Sequence, residues 1–175
     1  MSLSSLPSNL TDLAEKRWQC LLEHSDYVTE LNTHETLIKH AFALSDFIFE
    51  HATSHPDWLV TLLLDGKLFD TKLDFASELN HCLNEVQDEV TLHRVLRQFR
   101  NFHMVRIAWR DVTNMQTIQD SLEQVSTLAE QLINQTNDWL YTSLGARFGV
   151  PEGPHGPQPM LILGMGKLGG NELNF

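Results

Sequence analysis

Cysteine is scarce in this chain of 175 residues: Cys20 and Cys82 are far apart and have no CxxC or Cys/His spacing. That argues against a disulfide-stapled scaffold and a thiolate metal site, and reads as reduced thiols in a cytoplasmic protein. Long apolar runs are missing as well. Stretches such as Leu59–Leu64 fall far short of the ~20 residues that cross a bilayer, and Met1–Leu10 has neither the basic start nor the apolar core of a signal peptide. Basic residues are few, 12 Lys and Arg against 23 Asp and Glu, a formal charge of −11. Nucleic acids and anionic membranes are polyanions, so neither is an expected partner.

The shortage of positive charge is uneven. Residues 1–90 hold 16 acids and 5 bases, whereas residues 91–175 hold 7 of each. Contacts to a phosphate group are therefore sought in the back half. From Asn9 to about Arg147 the apolar period is helical, which predicts at least five helices and no strand longer than three residues. Leu10, Leu13, Ala14, Trp18, Leu21 and Leu22 make the first stripe. Glu35–Ala52 reads as one helix or as two, with Ser45 capping the second. Asp57 reads as the cap of Trp58–Leu64, which Asp65-Gly66 ends. Helices near 74–86 and 88–112 follow, and Asp120 with Glu123 resembles a capping box opening a long helix.

At residue 149 the composition changes. Gly149–Pro159 packs four prolines and three glycines into eleven residues and must turn. Met160–Leu163 then reads as a buried strand, and Gly164–Gly170 as a glycine-rich turn. The predicted organisation is a helical region, 1–148, and a segment 149–175 opening a sheet-containing domain that continues past Phe175.

The turn is the sharpest chemical signal. Glycine admits positive φ and lets amides approach phosphate oxygens with no Cβ between them, and Lys167 adds a mobile charge. Gly164-x-Gly166-x-x-Gly169 also matches the dinucleotide fingerprint, but the βαβ setting which that motif needs is missing. No Ser or Thr follows Lys167, as a P-loop would require. The glycines alone leave two readings open, a phosphate cradle and a plain exit turn.

A second signal is the run of five arginines, Arg94, Arg97, Arg100, Arg106 and Arg110, before the next acid, Asp111. On one helix Arg106 and Arg110 share an apolar face, so each needs a partner. Internal bonds to carbonyls or carboxylates are preferred over contact with phosphate. His51 and His55 stand one turn apart, which reads as a helix end satisfying carbonyls rather than a metal site.

The ending Gly164–Phe175 closely resembles the glutamine synthetase adenylyltransferase/adenylyl-removing family. Leu44–Ile48 with His55-Pro56, Arg97–Arg100 continuing through Met104–Asp111, and Pro157–Leu163 follow in the family's order. The resemblance implies a mostly α chain whose helical region leads into the first strand and glycine turn of a DNA polymerase β-type nucleotidyltransferase domain, α+β in the full protein. It implies removal of AMP from a tyrosine of glutamine synthetase by phosphorolysis, giving ADP, and addition of AMP from ATP in a second domain. It also implies control of nitrogen assimilation by the PII signal protein and glutamine. Gly166, Lys167, Gly169 and Gly170 match the family's phosphate-holding turn, and Glu172 and Asn174 its continuation. The Asp pair that binds Mg²⁺ is expected beyond Phe175, which leaves the 175 residues without catalytic groups or activity of their own. An acidic helical docking module, and a dinucleotide-binding oxidoreductase, are the competing readings.

Overall fold

The computed structural model describes residues 6–25 and 27–175. Residues 1–5, part of the stretch read above for a signal peptide, and Asp26 lie outside the described residues. The chain is mostly helical. It divides into two compact units, the first formed by the chain through Leu73 with Asn101–Ser121, the second by Asp74–Arg100 with Leu122–Phe175. The division runs through two long helices.

In the first unit α1 (Ser8–His24) is followed by a short α2 (Val28–Leu31) and one 3-10 turn, Asn32–His34. Next come α3 (Glu35–Leu44) and α4 (Asp46–Ser54). The break between them is the serine cap: Ser45 leaves the helical region of φ and ψ and its hydroxyl accepts from the Ile48 N–H at 3.3 Å. The next helix corrects the expectation at Asp57. It opens at Pro56, α5 (Pro56–Leu59), because proline fits a first helical position whose N–H would be unpaired anyway. It then widens into a π turn, Val60–Leu64, and closes at Gly66, where φ is +79°.

The unit's core is aromatic and aliphatic. Trp18, Leu21, Phe42, Ile48, Leu59, Leu62, Leu68, Val105 and Trp109 are buried together, with Phe42 edge-on to Phe49. Lys39, almost buried on α3, pairs with Glu15 and Glu35 at 2.5 Å each. Burial pulls its ammonium down, but the bonds to the two carboxylates outweigh that and hold it above the ordinary lysine range.

The second unit is built on α6 (Phe75–Leu83), the first half of α7 (Glu89–Val112) and most of α8 (Ile118–Phe148). Aspartates open two of these helices. Asp74 accepts from Ser77 N–H at 3.0 Å and Asp88 from Thr91 N–H at 2.8 Å. At α8 the capping box lies one turn earlier than expected. Thr117 is its first member, accepting from Asp120 N–H at 3.2 Å while Asp120 accepts from Thr117 N–H at 3.0 Å. Phe75, Leu79, Leu83, Val86, Leu92, Phe99, Val125 and Leu128 are its buried apolar residues.

After α8 the Gly/Pro-rich segment turns as expected, holding a two-residue antiparallel pair, β1 (Glu152–Gly153) with β2 (Gly156–Pro157). Met160–Leu163 departs from expectation: it joins no ladder, and Met160, Leu161 and Leu163 are 62–82% exposed. A strand is made by its neighbours, and among the described residues none pairs with this one.

Candidate phosphate-binding turn

Two different constraints explain the glycines of 164–170. Gly166 holds φ +60°, in the left-handed region that a Cβ disfavours, although a Cβ there would meet nothing within 4 Å. Gly169 is the opposite case. Its φ is not positive, but a Cβ would sit 2.6 Å from the Gly164 carbonyl oxygen, closer than real contacts allow. Gly170 is the more forgiving, at 3.4 Å from the Gly166 oxygen.

These residues form α9 (Gly166–Gly169), a single turn, and the chain behind it folds back. Gly170 N–H donates to Gly166 O at 2.9 Å, Asn171 N–H to Leu168 O at 3.2 Å and Glu172 N–H to Lys167 O at 2.8 Å. Asn171 takes φ +57°, a region asparagine tolerates. The amides of Gly169 and Gly170 are thus spent inside the turn. The N–H groups of Gly166, Lys167 and Leu168 have no partner within the helix, as the first turn of any helix dictates. Lys167 Nζ donates to Asn174 Oδ1 at 3.1 Å, so the two side chains named from the sequence meet, while Glu172 is exposed.

Arg106 and Arg110 are elsewhere, in the first unit, on the second half of α7. Both are buried, and both reach the turn after the π helix. Arg106 Nε donates to Lys67 O at 2.7 Å and its Nη2 to Asp70 O; Arg110 Nη1 donates to Leu68 O at 2.6 Å and its Nε to Gln116 Oε1 at 2.8 Å. Three carbonyls aimed at two guanidinium groups supply the negative field that a carboxylate would otherwise give. Burial pulls the Arg110 guanidinium below its ordinary range, against the pull of Asp120 and Asp70. His103, one turn before Arg106, is buried, and desolvation together with the Arg106 and Lys67 charges pushes its imidazole down to about 3. His51 Nδ1 lies 3.0 Å from Phe47 O, the helix-carbonyl contact expected of it.

The residue that sequence reasoning missed is Ser126 on α8. Its side chain is 1% exposed and its Oγ accepts from Leu173 N–H at 3.0 Å. The only signal was a hydroxyl set between apolar Val125 and Leu128, which asks for a partner without naming one.

With this geometry in place, the comparisons with known proteins are decisive. The family model described as glutamate-ammonia ligase adenylyltransferase matches residues 35–175. The chain belongs to that family. Among curated relatives, the bifunctional glutamine synthetase adenylyltransferase/adenylyl-removing enzyme of Shewanella loihica is 44% identical over 179 residues, which is 100% of this chain and 19% of that protein. The proteins of the same description from Psychromonas ingrahamii and Shewanella frigidimarina are 45% and 39% identical, covering 83% and 97% of the chain and 16% and 18% of themselves. The chain thus spans about a fifth of the length of these adenylyltransferases. Among its described residues no helix is long and apolar enough to cross a membrane. Nor does any group of three or more His, Cys, Asp or Glu among them stand where it could hold a metal ion.

Proposed function

We propose that residues 149–175 open the nucleotidyltransferase domain that removes AMP from a tyrosine of glutamine synthetase, with phosphate as attacking group and ADP as product. In the same proposal a second domain of the full enzyme adds AMP from ATP, and PII and glutamine set the balance. The relatives' names carry both activities and the protein substrate; the resemblance carries PII, glutamine and the polymerase β-type fold. The observation that supports the reading most directly is the turn itself, whose closure requires glycine at 166 for its φ and at 169 for space. A closed turn of this kind presents the leading amides of α9 and the Lys167 ammonium to an anion, while Gly169 and Gly170 let the chain close behind them. Asn174 steadies Lys167 in this scheme, and Glu172 keeps the continuation solvated. Magnesium ligands are supplied from outside these 175 residues, and none of the steps assigned here runs through the metal. The helical region 1–148 is the scaffold in front of this domain.

The oxidoreductase reading needs a strand and a full helix around the glycines. The helix at the glycines, α9, is four residues long, so no observation favours it.

The test is Lys167→Ala in a full-length enzyme containing this chain. Loss of one phosphate-facing charge, with the amides intact, is expected to slow phosphorolysis ~10–100-fold, roughly 1.4–2.7 kcal/mol of transition-state stabilisation. Adenylylation by the second domain should be unchanged. A wild-type rate of ADP release would overturn the phosphate role.

A further inference from the structure

The glycines explain how the turn closes, but not what fixes it in its own unit. Five successive N–H groups, from Gly169 to Leu173, are bonded, and the first four return to carbonyls of the turn itself. The fifth leaves it: Leu173 N–H donates to Ser126 Oγ on α8 at 3.0 Å. Ser126 is buried, and in residues 160–175 the side chains are exposed except those of Leu168 and Leu173, which are half-buried. A buried hydroxyl is therefore the polar pin of an otherwise solvated segment.

We infer that Ser126 is a positioning residue for the glycine turn, holding it to α8 through the Leu173 amide so that the turn's amides and Lys167 meet inorganic phosphate in a fixed orientation. The inference rests on the phosphate reading of the turn. Ser126 lies inside the long helix α8, whose backbone is held by its own hydrogen bonds, so the Leu173 amide is tied to a regular element and not to another loop. Removing the hydroxyl leaves the turn's internal bonds and its Lys167–Asn174 contact in place, so the turn persists while its seat is loosened.

The experiment uses the full-length enzyme with Ser126→Ala and, in parallel, Lys167→Ala. Hydrogen exchange at the Leu173 amide reads the pin directly, and phosphorolysis is followed against inorganic phosphate concentration. In Ser126→Ala, exchange at Leu173 should accelerate at least tenfold, and the KM for phosphate should rise about tenfold with kcat changed by less than threefold. The melting temperature should be near that of the wild type; a residue that only stabilises would move the melt and leave the KM alone. Unchanged exchange at Leu173 overturns the inference at its geometric root. Faster exchange with an unchanged phosphate KM overturns the positioning role. If Lys167→Ala slows the reaction while Ser126→Ala does not, only this inference falls. If neither variant alters phosphorolysis, the phosphate reading of the turn falls with it.

Discussion

The buried half of α7 and the segment after α8 solve the same problem, satisfying backbone polar groups, in opposite ways. In the first unit the carbonyls of Lys67, Leu68 and Asp70 lie in the turn that follows the π helix, and Arg106 and Arg110 reach in to bond them. In 160–175 the glycine turn bonds to itself, one serine pins it, and Met160–Leu163 joins no ladder. The contrast shows where each region's order comes from. Long side chains import hydrogen bonds across some forty residues of sequence, whereas a strand can take its bonds only from another backbone.

The first unit should therefore break most severely at an arginine. Arg106→Met keeps much of the apolar stem but removes the charged donor to the carbonyls of Lys67 and Asp70, and a hydrogen bond from a charged group is worth about 1.5–3 kcal/mol. A loss of about 2–5 kcal/mol is expected in urea unfolding followed by tryptophan fluorescence, since Trp18, Trp58 and Trp109 all report on this unit. A loss below about 1 kcal/mol would mean that the carbonyls find water and that Arg106 does not hold the turn.

An acid titration sharpens the same point. His103 has its pKa held at about 3 in the fold against about 6.5 when unfolded. Its contribution to stability is complete above about pH 6.5 and falls as the pH drops toward 3, because only the unfolded chain takes up the proton. The slope approaches about 1.4 kcal/mol per pH unit. His103→Gln should flatten the stability curve between about pH 6.5 and 5, above the range where the capping carboxylates of Asp74, Asp88 and Asp120, all lowered by their serine and threonine bonds, begin to contribute to the pH dependence. Equal slopes for variant and wild type would remove His103 from the account.

The smallest global effect is expected in the glycine turn. Gly169→Ala meets the Gly164 oxygen at 2.6 Å and should open the turn, seen as faster amide exchange at Gly170, Asn171 and Glu172, while the tryptophan-monitored unfolding midpoint stays within about 0.5 kcal/mol of wild type. Gly170→Ala, with 3.4 Å of clearance, should leave exchange nearly unchanged. Similar behaviour of the two variants would contradict the steric reading of Gly169.

The sequence made the helices legible because their signals are local. Ser45 was readable as a cap, since its partner is three residues away. Asp120 was placed one turn off because Thr117 and Asp120 are both good caps and the local pattern does not choose between them. That Arg106 and Arg110 share a face followed from helix geometry; that carbonyls 36–42 residues earlier would receive them did not. Met160–Leu163 was read from its composition as a buried strand, but burial of a strand is decided by its neighbours. For the turn, glycine content was legible and the separate duties of Gly166 and Gly169 were not, since φ and clearance appear only when the chain is folded. Ser126 left almost no trace, because a single serine in a helix resembles any other.

The first unit is discontinuous, and this bears on its birth at the ribosome. Its helices α1 to α5 are complete once Leu73 has emerged, yet Val105, Arg106 and Trp109, which fill and tie its core, follow only with Asn101–Ser121. At ~5–20 residues per second, residues 74–121 take roughly 2–10 s to synthesise. For that interval Phe42, Leu62 and Leu68 lack the helix that covers them, and the carbonyls of Lys67, Leu68 and Asp70 have no guanidinium to meet. Slow codons between residues 74 and 121 would prolong that exposed state, and the nascent chain would then be a client for chaperones that recognise bare apolar helices.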